Sequence, residues 1–541
     1  MRKNNLKILL IAPRNIPTDK AQYSYTFPLG IAYISAVLKK ANMDVSYLNL
    51  NHYNGQIREI VKAELDNQNY DVVATGHIGM GYLVVEDIFK ATKKHKSNPK
   101  TILGGAIITS EPNLMFESLK PDFGVIGEGE DTILELLDAI EKKKDLKKVN
   151  GIMYRDDNQN IITTSPRQPI ENLDKIPFPD FEGFDFEEKL NHQRTNLDFF
   201  TNFLDYPRPY PILASRSCIF HCTFCYHEGK YRERSIKNVI EEIKFAVEKY
   251  KINIIQLYDD LFSFKKERIY EFCREIKKIS EKTNQKLMWY AQLTVMNVDK
   301  ELLKTMKDAG CVLVSYGFES YSEEVLKSMR KPITPQQIDS ALKMTLEVKM
   351  AISACFIFGD VAETVQTAQT TIRYWRENSR GQILLQFIQP YPGSAIYKHC
   401  VEKGIIKNKL DFIKNKMPNR DFINMTDNMT DKEFLKLADA IANLMASNTN
   451  MAKLIYLKKI RKKIYEIKTK CPFCNEETVY KNYYLSKRHL YRDSLLCRHC
   501  NMRNFFVSPL FKIFIKLDLI RLVAQIYHKL VKREKRILWK E

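Results

Sequence analysis

The chain has 541 residues, 44% hydrophobic and 28% charged, with 85 Lys and Arg against 65 Asp and Glu for a formal net charge of +20. That length calls for several domains with cores of their own, and the composition excludes collagen-like, disulfide-scaffold and disordered classes. No apolar run approaches the roughly 18 residues of a membrane span, and "LKILLIAP" is too short for a secretory leader. The expected location is therefore a reducing cytoplasm, where clustered cysteines point to metal sites rather than disulfides. From residue 451 onward 23 Lys and Arg face 7 Asp and Glu, so +16 of the +20 belongs to the tail.

Strand-like runs "KILLIA" (7–12), "DVSYLNL" (44–50), "DVVATG" (71–76), "TILGGA" (101–106) and "FGVIGEG" (123–129) come first. They alternate with helical periodicity, clearest in 28–42 and 131–144. Such a βα series predicts an α/β fold opening with a parallel, doubly wound, Rossmann-like sheet over 1–145, with ligands at the strands' carboxyl ends. Gly30, Gly76, Gly104, Gly105, Gly127 and Gly129 gather there, either to let backbone approach a ligand or simply to make tight turns. Residues 146–205 read as a connector with one hairpin, "NGIMYRDDNQNIITTSP". A second βα series over 206–400 holds six strand patterns, from "YPILASRS" to "QILLQFIQPY". Six units predict a partial (β/α)6 TIM-like barrel with its site on the top face. Residues 401–465 are expected to form a helical extension, 466–508 a four-cysteine module and 509–541 an amphipathic helix.

In the loop after the second series' first strand lies "SCIFHCTFCYHEG", spaced Cys218-x3-Cys222-x2-Cys225. Four thiolates complete a [4Fe–4S] cluster, whereas three leave one iron open to a small molecule. Three incidental buried cysteines are the plainer alternative. This stretch, followed by "KYRERS", resembles the signature of radical S-adenosylmethionine (SAM) enzymes, most closely those with an amino-terminal cobalamin-binding domain. The resemblance covers roughly residues 5–440. It implies that Cys218, Cys222 and Cys225 hold a [4Fe–4S] cluster, whose open iron takes the amino and carboxylate groups of SAM. Electron transfer then yields methionine and a 5′-deoxyadenosyl radical. Phe224 is implied near the adenine, Asp259 and Asp260 of "YDDLFS" near SAM, Glu319 of "YGFES" as a polar contact and Gly359 of "CFIFGDVAET" against the adenine. "QPYPGS" resembles the segment that ends the barrel.

The first domain resembles the cobalamin-binding domains of this subgroup through "PLGIAYISAVLKKANMDV", "LGGAIIT" and "DFGVIGEGEDT". The implied corrin contacts are Gly30, Gly76, Gly104, Gly105, Gly127 and Glu128. The Asp-x-His-x-x-Gly pattern of cobalt-ligating histidines is broken, since "LNHYNG" puts Leu50 where the aspartate belongs, so His52 is expected as a loop-surface residue. The implied reaction is cobalamin-dependent methyl transfer to an unactivated carbon of a metabolite or lipid-like substrate, driven by a flavodoxin or ferredoxin. Radical rearrangement or cyclisation without methylation, and modification of tRNA or protein, are the alternatives.

"CPFC" and "CRHC" place Cys471, Cys474, Cys497 and Cys500 as two Cys-x-x-Cys knuckles, the spacing of a closed zinc ribbon. Iron in the same tetrahedral site is the alternative, with His499 a bystander. The last stretch sets Phe511, Ile515, Leu519, Leu522, Ile526 and Leu530 between basic positions. That pattern fits a helix docked on the protein or lying on an anionic membrane surface; nucleic acid is the lesser candidate. Cys273, Cys311, Cys355 and Cys400 read as packed apolar side chains.

Overall fold

Strand β1 (Lys7–Ala12) is the "KILLIA" run, with five of its six side chains buried, as a strand covered on both faces requires. In the computed structural model, residues 6–15, 18–197, 199–226, 228–419, 422–447, 450–485 and 493–506 are described. The C-terminal helix expected at 509–541 lies outside them. The chain divides into two units: Met1–Gln193 with Tyr210–Ser263 and Gln389–Ile423, and Arg194–Pro209 with Phe264–Ile388 and Asn424–Glu541.

In the first unit β1 is flanked by β2 (Asp44–Asn49) and β3 (Val72–Gly76), followed by β4 (Lys100–Gly104) and β5 (Phe123–Val125). These five strands are parallel, in the order β2-β1-β3-β4-β5. Between them the helices Leu29–Lys40 and Glu130–Glu141 pack as one pair, and Ile57–Asn67 and Tyr82–Lys94 as another. The strand order reverses between β1 and β3, so their carboxyl ends open the crevice where doubly wound folds bind ligands. The expected hairpin forms as β6 (Ile152–Arg155) and β7 (Ile161–Thr163), and it extends the sheet antiparallel beyond β5. It belongs to the first sheet rather than to a free connector. The unit also holds β8 (Pro209–Ile212), the short β9 (Ser215–Arg216) and β10 (Arg232–Glu233), and β11 (Ile254–Leu257).

The second unit carries β12 (Met288–Leu293), β13 (Cys311–Glu319), β14 (Ala351–Phe358) and β15 (Ile383–Phe387), a parallel run in sequence order. With β8 and β11 these make up the six strands expected of the second series. After helix Asp431–Ser447 the chain turns to strand: β16 (Lys453–Arg461), β17 (Ile464–Lys470) and β18 (Glu477–Tyr484) form an antiparallel sheet. β19 (Asp493–Leu496) pairs with β20 (Arg503–Phe506). The helical pattern expected through 465 thus stops at the interval before Lys453. Lysine and arginine in "KLIYLKKIR" are good helix formers, but its Leu-Ile-Tyr-Leu run carries β-branched and aromatic residues that favour strand, and the segment pairs antiparallel with β17. Leu454, Tyr465, Ile467, Tyr480, Tyr483, Leu485, Leu495 and Phe506 form this module's core.

Candidate active site and metal centre

The cysteine loop hangs from a clamp of two very short strands. β9 and β10 pair antiparallel, with Arg216 opposite Arg232 and Ser215 opposite Glu233. Asp259, 4% exposed, accepts from the Ser215 backbone N–H and hydroxyl, the latter at 2.7 Å. It therefore anchors the stem of the loop, while Asp260 is exposed. Ser217 enters the loop in the left-handed region at φ 66°, and the Cys225 N–H donates to the Cys222 carbonyl at 3.2 Å. Cys222 is buried, Cys218 half-buried and Cys225 exposed; Phe224 is half-buried. The "QPYPGS" segment packs on this loop: Ile396 N–H donates to the Thr223 carbonyl at 2.9 Å, and a Cβ on Gly393 (φ 87°) would run into the Tyr226 ring. Three thiols on one tight loop are a donor set suited to an iron–sulfur cube with one open iron.

The stem is tied to the first domain by charge. Glu128 lies between the two arginines, 2.9 Å from Arg216 and 2.9 Å from both Arg232 terminal nitrogens, and it accepts from Ile170 N–H at 2.7 Å. Arg216 also pairs with Glu130. Burial would raise the Glu128 carboxyl, but the two guanidinium groups outweigh it and hold it below the ordinary range. Removing one partner from a buried pair of this kind costs about 3–5 kcal/mol.

The glycines at the crevice divide by role. A Cβ on Gly76, at the end of β3, would stand 2.7 Å from the Gly104 carbonyl oxygen, and one on Gly105 (φ 81°) would stand 3.2 Å from the His77 oxygen. These two let neighbouring backbones touch. Gly30 and Gly104 would meet nothing within 4 Å, so they border open space, the kind of cradle a flat ligand fills. A Cβ on Gly127 (φ 82°) would stand 3.2 Å from Glu228 Oε1.

At the β1/β3 reversal the His77 Nδ1 accepts from Ile78 N–H at 2.8 Å, so Nε2 carries the proton and donates to the Arg14 carbonyl at 3.2 Å. Burial holds this imidazole's pKa below its usual value. Arg14, 1% exposed, donates to the carbonyls of Leu50, Tyr53, Gly55 and Thr18. His52 is not on the loop surface as expected. Its side chain is buried, 2.9 Å from the Tyr25 hydroxyl and beside the Tyr23 ring, and burial with nearby His192 and Lys189 lowers its pKa to about 4. Both His77 ring nitrogens are committed to backbone neighbours, and His52 commits Nε2 to Tyr25 while its buried Nδ1 makes no hydrogen bond.

In the second unit Glu319 ends β13 in the left-handed region (φ 59°) and pairs with Lys331 at 3.0 Å. Gly317 makes room for that pair, since a Cβ there would stand 2.5 Å from Lys331 Nζ. Gly359 (φ 99°) lies against the Phe434 ring and donates its N–H to Glu363 at 2.5 Å. Burial first, then Asp360, pushes the Glu363 carboxyl up to about 8.

The four-cysteine module is closed. All four sulfurs lie within 4.8 Å of one another and could hold one metal ion. Cys471 and Cys500 are 3.7 Å apart, as are Cys474 and Cys497. Four thiolates around one tetrahedral ion, with bonds of about 2.3 Å, stand about 3.8 Å from each other. The two knuckles are built alike: Asn475 and Asn501 follow them at φ 61° and 58°, returning N–H bonds to Cys471 and Cys497. His499 bonds the Glu477 carbonyl instead. The module is pinned inside its unit, where Asn196 exchanges bonds with the Tyr484 backbone at 2.9 and 2.8 Å. Gln382 does the same with Arg503 at 3.0 and 2.6 Å. Of the dispersed cysteines, Cys273, Cys311 and Cys400 are buried and Cys355 is half-buried.

Sequence reasoning passed over Arg14, His77, Arg216, Arg232, Gly317 and Glu363. The one available signal was the acidic "GEGE" turn facing arginines on both sides of the cysteine loop.

Comparison with known proteins agrees with this geometry. Residues 212–374 match the radical SAM superfamily, and residues 21–137 match the B12 binding domain. An uncharacterized methyltransferase of Pyrococcus horikoshii is 28% identical over 407 residues, 74% of this chain and 84% of that one. The anaerobic magnesium-protoporphyrin IX monomethyl ester cyclase of Rubrivivax gelatinosus is 25% identical over 410 residues, 74% of this chain and 70% of that one. Among solved structures, the radical SAM methyltransferase TsrM of Kitasatospora setae, with cobalamin and [4Fe–4S] cluster bound, aligns with a TM-score of 0.58. It is 15% identical, over 73% of this chain and 75% of that one. The chain thus carries a radical SAM region and an amino-terminal B12-binding region, with an added four-cysteine module.

Proposed function

We propose that the protein catalyses cobalamin-dependent methyl transfer to an unactivated carbon of a small molecule. The observation that carries this reading is the joining, within one unit, of a three-thiol loop to a doubly wound domain with open glycines at its crevice. Residues 1–145 would hold the corrinoid, with Gly30 and Gly104 bordering it, and 206–400 would hold SAM. Cys218, Cys222 and Cys225 would hold the [4Fe–4S] cluster, leaving one iron for the amino and carboxylate groups of SAM. When bound, the cluster supplies the electron that cleaves SAM, and the corrinoid supplies a methyl carrier.

The chain's own residues hold and orient. Asp259 fixes the stem at Ser215. Glu319, paired with Lys331, would offer an acceptor for SAM, whereas the Gly359 backbone is covered by Phe434. Cys471, Cys474, Cys497 and Cys500 would hold zinc, and with no ligand position to spare that ion is structural. A small molecule as substrate and a one-electron donor such as flavodoxin or ferredoxin complete the reaction. The similarity to a cyclase favours a second reading, radical cyclisation without methylation.

The two readings separate under anaerobic, reducing conditions with hydroxocobalamin, methyl-labelled SAM and candidate substrates. Methyl transfer is expected to give S-adenosylhomocysteine and 5′-deoxyadenosine in equal amounts, with label in the product. Deoxyadenosine without S-adenosylhomocysteine would refute methylation and support cyclisation.

A further inference from the structure

Glu128 is among the expected corrin contacts of the first domain, yet its carboxylate is taken up by the stem of the cysteine loop. Arg216 and Arg232 are direct cross-strand partners, and like charges directly opposite one another in a two-stranded ladder repel. Each strand has only two residues, too few for ladder hydrogen bonds to hold the pair closed alone. Glu128 resolves the conflict: one carboxylate, 16% exposed on its side chain, bonds both guanidinium groups at 2.9 Å. Glu130 takes the remaining nitrogen of Arg216, and the Ile170 N–H fixes the second Glu128 oxygen at 2.7 Å. In the turn that carries Glu128, a side chain at Gly127 would crowd Glu228 on the loop's far side, 3.2 Å from its Oε1.

We propose that Glu128 is a positioning residue that closes the stem of the cysteine loop, by neutralising the Arg216–Arg232 pair from the turn after β5. The inference rests on the proposed function only in taking residues 217–231 as the cluster loop. The glycine-rich turn of the corrinoid domain and the loop carrying Cys218, Cys222 and Cys225 are then one mechanical assembly.

Its test is the full chain with Glu128→Gln, Glu128→Asp and Glu135→Gln. Trypsin cleavage at Lys230 in the cluster-free chain, with the ribbon metal retained, reads stem opening, iron retained after anaerobic reconstitution reads the loop's grip, and hydroxocobalamin binding reads the crevice. E128Q should be cut at Lys230 on the order of tenfold faster and retain less iron, E128D should fall between, and E135Q should match wild type. Wild-type cleavage and iron retention in E128Q would overturn the proposal, as would a loss confined to hydroxocobalamin binding. If E128Q does not accumulate, E128D carries the same tryptic test at Lys230, and wild-type cleavage there would overturn the proposal. Failure of wild type to take up any iron would refute the proposed function instead, and the tryptic comparison would still judge the clamp.

Discussion

In the ribbon four sulfurs already stand within 4.8 Å of one another, on two knuckles whose turns end alike at Asn475 and Asn501. The loop after β9 is built differently: its three thiols grade from buried Cys222 through Cys218 to exposed Cys225, and its shape is imposed from outside by Asp259, Glu128 and the Gly393 turn. A site made to hold an ion for structure encloses it with its own backbone. A site made to leave one iron accessible must stay open, so its order is supplied by neighbouring elements. The same contrast runs through the glycines, where Gly76 serves backbone packing and Gly104 borders open space.

The largest effect expected is at the closed site. Wild type is expected to bind about one metal ion per chain at the four cysteines, and Cys471→Ser should lose it and unfold the module around Tyr480 and Tyr483. Metal-linked folding free energy in such sites is on the order of 10 kcal/mol. Metal analysis and thermal unfolding read it, and retained metal with an unchanged melting temperature would break the contrast. A smaller effect separates the two glycines. Gly76→Ala must move the Gly104 carbonyl and should cost about 1–3 kcal/mol of stability. Gly104→Ala should stay within about 0.5 kcal/mol while weakening hydroxocobalamin binding, followed by its absorbance change. Equal stability losses would remove the distinction between packed and open glycines.

Much of this was legible beforehand. Local patterning fixes a strand such as "KILLIA" because burial on both faces leaves no polar position, and β1 spans those residues. The cysteine spacings at 218–225 and 471–500 are likewise local and were read directly. What escaped reading depends on contacts between distant segments. Arg216 and Glu128 are 88 residues apart, and nothing in either neighbourhood announces the pairing. Arg14 looks like an ordinary surface cation until four loop carbonyls converge on it. β16 was hidden because the helix propensity of its lysines competes with the strand preference of Ile455 and Tyr456, and pairing with β17 decided for the strand.

The central claim is that Cys218, Cys222 and Cys225 generate the catalytic iron site while the ribbon does not. It is tested most directly by reconstituting wild type and Cys222→Ala anaerobically, reducing them with dithionite, and measuring SAM cleavage beside the electron paramagnetic resonance of the cluster. Wild type should show a [4Fe–4S] signal that shifts on adding SAM, and should form 5′-deoxyadenosine or S-adenosylhomocysteine. C222A should lose the signal and at least about 100-fold of the cleavage, with its ribbon metal unchanged. Undiminished SAM cleavage in C222A would contradict the account.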